Sequence, residues 1–446
     1  MTDDSLRLFQ PDDGTWEELC RKIRGEAAPF YLFHEPKARE HVQALRRSLG
    51  GTAKIAYAMK ANPWLARATG ADYIEVCSPT ELDICARQQI PGKQLLADGI
   101  WQSDSFLERA LKMGVGRFAV QSCSQLERLL SLSRGRPLSV LLRVTSGNQF
   151  GMDCEELKTC LTAFGRDGRV KGLQYYPGTQ RRDIRQVRRD LACLREWISG
   201  CEHLGAPLEE IEFGAGIGVP YFQGESPEDY AALLDVVAEW IQEMEPRCRI
   251  TYEAGRLITA SCGIYVTEVF AQRRRGNRHF LFCSGGTNHL RYHGGALGVR
   301  TPLLRGLCAA PTGVGETTTV CGPLCSESDV LVRECHTLDS GITAGDRIVF
   351  FGAGAYSATE SPNVFLGLAF PHILLYNGLD ITISPNPVGL CCDTAEKSAH
   401  GSDHHEIACY PASSHRNHPK AVCGLRRPPQ DTAHYGGDRH PGGTCL

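Results

Sequence analysis

The chain has 446 residues, 42% of them hydrophobic and 22% charged, with a formal net charge of -3. This is ordinary globular composition in a chain too long for one compact core, so two domains are expected. With no basic excess, nucleic acid and anionic lipid are excluded as expected partners. No run approaches the roughly 18 apolar residues of a membrane span, and the acidic opening Met1-Thr2-Asp3-Asp4-Ser5 lacks the apolar stretch of a secretory signal. A soluble cytoplasmic protein is the expectation. The 20 cysteines are scattered without a Cys-x-x-Cys pair, so they read as small buried hydrophobes kept reduced, and no metal centre is expected.

In chain order, residues 28–35 read as a strand and a helix follows through Arg47. The next apolar run, Lys54-Ile55-Ala56-Tyr57-Ala58, ends in Met59-Lys60-Ala61-Asn62-Pro63. A lysine at the end of such a strand, before small and turn-forming residues, is poorly solvated. Desolvation lowers its pKa and frees the amine to form Schiff bases with carbonyl compounds. The plainer alternative is a strand-end lysine that reaches out to water.

Further strands are expected at 94–97, 117–120, 139–144, 171–176, 210–213 and 249–253, with helices such as 80–87, 104–113 and 227–243 between them. This alternation predicts an α/β fold, a parallel (β/α)8 barrel over residues 36–262. Beyond 262 the strands become contiguous (264–271, 279–283, 317–321, 347–351), which predicts a mainly antiparallel β domain over 263–390, to which residues 1–35 return. Residues 391–446 carry seven of the 15 histidines and five cysteines without any helix or strand period. They read as a disordered or loosely attached tail. His400, His404, His405 and Cys409 offer a weak metal-binding alternative, and an abnormal reading frame would give the same composition.

Four later motifs carry chemistry. Phe213-Gly214-Ala215-Gly216-Ile217-Gly218 follows a strand and lets backbone N–H groups approach a phosphate. Glu253-Ala254-Gly255-Arg256 pairs a carboxylate suited to a protonated ring nitrogen with a guanidinium suited to a phosphate. Cys321-Gly322-Pro323-Leu324-Cys325-Ser326 projects a thiol able to give a proton to a carbanion. Phe351-Gly352-Ala353-Gly354-Ala355-Tyr356 places a phenol on a small-residue loop. Each alone is also compatible with a tight turn or a surface ion pair.

In this order the set resembles the fold-type III, pyridoxal-phosphate-dependent decarboxylases of ornithine, arginine and diaminopimelate, over residues 28–376. The resemblance implies an alanine-racemase-like barrel, a C-terminal β domain and a homodimer with shared active sites. It implies Lys60 as the residue that holds pyridoxal 5'-phosphate and Glu253 at the pyridine nitrogen. Gly214, Gly216, Thr179, Arg256 and Tyr356 would bind the phosphate, and Cys325 from the other subunit would reprotonate the α-carbon.

Three positions depart from the family pattern. Tyr176 stands where a histidine usually stacks on the ring, and a phenol can also stack. Ser326 replaces the Asp or Glu that grips the distal end of diamino acids. Glu75 stands for the usual Asp. Ser326 and Asp329 are expected at the substrate. Losing the carboxylate at 326 removes a counter-charge for a distal ammonium, which turns the expectation from ornithine and diaminopimelate to a conjugated or carrier-tethered amino acid. Segments 259–263, 284–289 and 354–360 likewise resemble decarboxylases of secondary metabolism, siderophore and antibiotic assembly among them. Diaminopimelate decarboxylation remains an alternative. So does racemisation on the same barrel, against which Glu253 argues, because racemases place an arginine there. A silent pyridoxal-binding homologue is a further alternative, against which Lys60, Arg256 and Cys325 argue.

Overall fold

The computed structural model describes residues 13–205, 208–226, 228–292, 297–308, 313 and 317–384. All of them belong to the compact unit Met1–Cys392; a second unit, Asp393–Leu446, contains the histidine-rich stretch and lies outside the described residues.

Eight parallel strands close the barrel: β2 (Lys54–Ala58), β3 (Tyr73–Val76), β4 (Leu95–Ala97), β5 (Arg117–Val120), β6 (Ser139–Val144), β7 (Val170–Tyr175), β8 (Glu210–Phe213) and β9 (Arg249–Ala254). β1 (Phe30–His34) precedes them and belongs to the other sheet. The strands form because their outward residues, Ile55, Tyr57, Ile74, Leu173, Tyr175, Ile211 and Phe213, are buried in one apolar core. The helices between supply the matching face. Asp104–Lys112, for instance, buries Phe106, Leu107, Ala110 and Leu111. Ser78, Ser103, Ser122 and Asp153 each accept a backbone N–H at a helix start, a cap that stabilises by about 1 kcal/mol.

Period-two alternation turns the intervening strand residues inward. Ala58 is registered with Glu75, Ala56 with Glu253, and Gln174 with Glu212. The barrel interior is therefore polar at its centre, with the small Ala56 and Ala58 leaving space beside the carboxyl groups.

The second sheet contains β1, β10 (Gly263–Arg275), β11 (Arg278–Cys283), β12 (Leu304–Leu307), β13 (Thr318–Cys321), β14 (Val330–Cys335), β15 (Arg347–Phe351), β16 (His372–Tyr376) and β17 (Ile381–Ser384). Its order is β14-β13-β11-β10-β1-β16-β17, with β15 pairing β10 and β12. Pairings are antiparallel except β1 with β16 and β11 with β13. The N-terminal strand β1 pairs with β10 and β16 in this sheet. No disulfide forms among the fifteen cysteines of the described residues, and no helix among those residues is long and apolar enough to cross a membrane.

The barrel and the sheet meet at the Lys60 turn. β2 runs into a 3-10 turn, Met59–Ala61. Tyr356 donates its backbone N–H to Ala61 O at 2.7 Å, Thr359 Oγ1 donates to Lys60 O at 3.2 Å, and Asn62 Nδ2 donates to Gly354 O at 2.8 Å. The loop approaches so closely that a Cβ on Gly354 would lie 2.0 Å from Thr259 O. Asn62 also accepts the N–H groups of Trp64 and Leu65, and it is 2% exposed. Asn62→Ala leaves buried polar groups unpaired on both sides of the junction and is expected to cost about 1–3 kcal/mol, read as a lower unfolding midpoint.

Candidate active site

Lys60 Nζ lies 2.9 Å from Glu75 Oε1 and 4.0 Å from Glu253 Oε1. The two carboxyl groups are buried, whereas the lysine side chain is 44% exposed and can be reached from outside. The sequence suggested an amine with a lowered pKa. The structure corrects this: desolvation does act to lower it, but Glu75, Cys77, Glu253 and Tyr356 outweigh that effect and raise the Lys60 pKa well above its usual value. Carboxylates at this distance favour the charged amine more than burial disfavours it.

The two glutamates divide the work. Burial acts to raise the Glu75 carboxyl, yet Lys60, a hydrogen bond with Glu253 and the Cys77 thiol bring it down to about 2. Burial and the neighbouring charge of Glu75 push Glu253 well up instead. Like charges this close cannot both ionise. Glu75 is the anion that faces Lys60, and Glu253 keeps its proton.

The polar chain extends through the barrel. Cys77 Sγ donates to Glu75 Oε1 at 3.2 Å. Asp98 pairs with Arg143 at 3.3 Å, and Gln174 Nε2 bridges Asp98 at 3.4 Å and Glu212 at 3.0 Å. Asp98 is raised by burial first and then by Glu75, and burial pushes Glu212 up to about 8.

Beside Lys60, Tyr176, Thr179, Gly216, Glu253, Arg256 and Tyr356 line one cleft. Tyr176 packs its ring over Gly214, where a Cβ would meet it at 2.8 Å. Gly216 has φ +60, and a Cβ there would strike Gly178 O at 1.7 Å, so this turn accepts only glycine. Arg256 Nη1 donates to Tyr221 Oη at 2.6 Å, and its guanidinium lies 4.4 Å from the Tyr356 ring centre. Arg256 Nε is buried with no partner. An orphaned guanidinium N–H beside the Thr179 hydroxyl, the Tyr356 phenol and a glycine turn fits a phosphate group. Burial, ahead of the neighbouring charges, raises both Tyr176 and Tyr356, so each phenol keeps its donor proton.

The three remaining expected residues lie elsewhere. Cys325 and Ser326 are exposed on the loop between β13 and β14 and do not line this cleft. Asp329 was expected at the substrate. It is 2% exposed, and its carboxylate accepts the Thr287 N–H, the Thr287 hydroxyl and the Leu324 N–H, each at 2.8 Å. With its oxygens engaged by these groups, Asp329 fixes the loop that carries Cys325.

Sequence reasoning missed Tyr221, Cys77, Asp98, Arg143, Gln174 and Glu212. Tyr221 had a signal, an aromatic residue directly after the glycine turn in Gly218-Val219-Pro220-Tyr221. The others only become a cluster when the barrel closes.

Glu212 gives a pH dependence. Its folded value of about 8 exceeds the ordinary 4.5, so the folded chain binds this proton more tightly than the unfolded chain. Its contribution is fully favourable below the unfolded value and is lost as pH rises through the folded one. Glu212→Gln is expected to flatten the decline of the unfolding midpoint between pH 4.5 and about 8, measured by thermal unfolding across that range.

Comparison with known proteins agrees with this geometry. Residues 36–260 match the family model described as pyridoxal-dependent decarboxylase, pyridoxal binding domain. The chain is 26% identical over 395 residues to the L-glutamyl-[BtrI acyl-carrier protein] decarboxylase of Niallia circulans, covering 81% of this chain and 92% of that protein. It is 24% identical over 409 residues to the 2-[(L-alanin-3-ylcarbamoyl)methyl]-2-hydroxybutanedioate decarboxylase of Staphylococcus aureus, covering 83% and 98%. The crystal structure of diaminopimelate decarboxylase from Helicobacter pylori with L-lysine superposes with a TM-score of 0.70 at 20% identity, over 82% of this chain and 95% of that one. The chain belongs to the pyridoxal-dependent decarboxylase family, as an amino-acid decarboxylase that uses pyridoxal phosphate.

Proposed function

We propose that the protein decarboxylates an amino acid that is part of a larger conjugate or is tethered to a carrier, with its α-amino and α-carboxylate groups free. The observation that carries this reading is Ser326. Beside Cys325, where a carboxylate would hold a distal ammonium, there is a hydroxyl 2.7 Å from the Ser328 hydroxyl. A free diamino acid finds no counter-charge at that position. The two relatives whose names specify a carrier-bound or citrate-like conjugate support the same direction.

Pyridoxal phosphate, when bound, supplies an electron sink for the bond between the α-carbon and its carboxylate. Lys60 would hold the cofactor through its amine, which Glu75 keeps in place. Glu253, which carries a proton, would face the ring nitrogen. Tyr176 would cover the ring, and Thr179, Gly214, Gly216, Arg256 and Tyr356 would hold the phosphate, with Tyr221 orienting the arginine. Cys325 of a partner subunit delivers a proton to the α-carbon, so the working unit is a homodimer. The barrel over 36–262 supplies the cofactor side, and the β domain over 1–35 and 263–390 supplies the loop that completes it.

Carbon dioxide release by the pyridoxal-loaded protein tests the reading. Glutamyl-carrier and citryl-amino-acid conjugates are expected to be turned over, and free diaminopimelate, ornithine, lysine and arginine are not. Efficient release from a free diamino acid contradicts the reading of Ser326. With the accepted substrate, Cys325→Ala is expected to lower kcat by about 10²–10⁴-fold with little change in KM, because the thiol acts after binding.

A further inference from the structure

The β10–β11 hairpin carries a cluster of cations that neither the fold nor the cofactor site uses. Antiparallel register sets Arg273 opposite Phe280 and Arg275 opposite Arg278. Alternation then places Arg273, Arg275, Arg278, Phe280 and Phe282 on one face, while His279, Leu281 and Cys283 are buried on the other. Arg333 joins them from β14, fixed by its Nε–H to Gly298 O at 3.1 Å. Among the described residues, Arg273, Arg275, Arg278 and Arg333 form no ion pair.

This face is one wall of a cavity of about 440 Å³, and the Pro323–Val330 segment that carries Cys325 is the other. Its carboxylates are Glu327 and Asp329, and Asp329 is engaged by Thr287 and Leu324. Like charges directly opposite on a hairpin destabilise it, so Arg275 facing Arg278 is a local cost that a bound anion would remove. Phe280 and Phe282 stay partly exposed between the arginines, and Phe270, at the same end, is 56% exposed. A cavity of this size, with phenyl walls and several guanidinium groups, suits an amphipathic arm ending in an anion.

We propose that this cleft binds the negatively charged distal end of the substrate, a phosphate or clustered carboxylates on an apolar spacer. The proposal rests on the conjugated-substrate reading, and it extends that reading by assigning the charge of the conjugate and the residues that select it. Ser326 borders both the cleft and Cys325. A substrate whose reacting end meets Cys325 therefore lays its far end along the arginines. The absence of a carboxylate at 326 and the presence of four arginines beside it serve the same selection, excluding a distal cation and attracting a distal anion.

Calorimetric titration of the pyridoxal-loaded protein tests this without turnover. The probes are pantetheine, pantetheine 4'-phosphate and citrate. Pantetheine 4'-phosphate is expected to bind at least roughly tenfold more tightly than pantetheine, with an affinity that falls as salt rises. Citrate binding alone would support the carboxylate form of the same site. The Arg273→Ala/Arg278→Ala double variant should abolish the preference for the anion, and single Arg278→Gln should reduce it should the double variant fail to load pyridoxal phosphate. Arg195→Ala, which removes an exposed ion pair with Glu243 on the barrel exterior, should leave it unchanged. With a conjugate that is turned over, the cleft variants should raise KM with kcat maintained. Equal binding of pantetheine and its phosphate together with no citrate binding overturns the proposal, as does native affinity in the arginine variants. Anion binding without carbon dioxide release from any substrate would defeat the decarboxylation reading while leaving the cleft standing. Release from a conjugate with KM indifferent to the arginines would do the reverse.

Discussion

The active site depends on a buried carboxylate facing an amine at the mouth of the barrel. Lys60 Nζ and Glu75 Oε1 are 2.9 Å apart. Removing a carboxylate from water is costly unless it meets an opposite charge and further partners. Here the partners are supplied by the barrel itself. Cys77 donates to the same carboxylate oxygen, and Glu253 stays protonated because burial and then the Glu75 charge disfavour its anion. Closing eight strands brings Glu75, Glu253 and Glu212 together, since the inward positions of β3, β9 and β8 face one interior. The polar interior favours a charged lysine and leaves a proton on Glu253.

The second constraint is the clamp between the domains. The Lys60 turn is short, and its carbonyls would face solvent without the Gly354–Thr359 loop. That loop reaches it only because Gly354 packs against Thr259 and because Tyr356 adopts φ 65. A non-glycine residue in this conformation is uncommon. Here it aims the phenol at the Arg256 side of the cleft while its N–H holds Ala61. The sheet domain therefore shapes the cofactor site directly, and its far loop carries the residues that meet substrate in the proposed dimer.

Much of this was legible in the sequence. Strands with alternating or continuous apolar residues, such as 139–144 and 249–253, were read within a residue or two, because burial sets their pattern. The strand Tyr73–Val76 was not read: it has four residues and includes the inward Glu75, so its apolar signal is broken by the very side chain that matters most to Lys60. Short edge elements such as Leu304–Leu307 and Ile381–Ser384 were missed for the related reason that pairing, not composition, defines them. The glycine turn, Lys60, Glu253, Arg256 and Tyr356 came from local motifs and converge in space. The charge on Lys60 and the hydrogen bonds of Asp329 are not legible in the sequence, because both depend on partners distant along the chain, Glu75 and Glu253 for one and Thr287 for the other.

The most direct test is to reduce the pyridoxal-loaded protein with borohydride and map the labelled peptide by mass spectrometry. The account predicts one pyridoxyl label, on Lys60, within the peptide that joins β2 to the 3-10 turn. A label on another lysine, or no covalent label on a protein that still binds the cofactor, would contradict it.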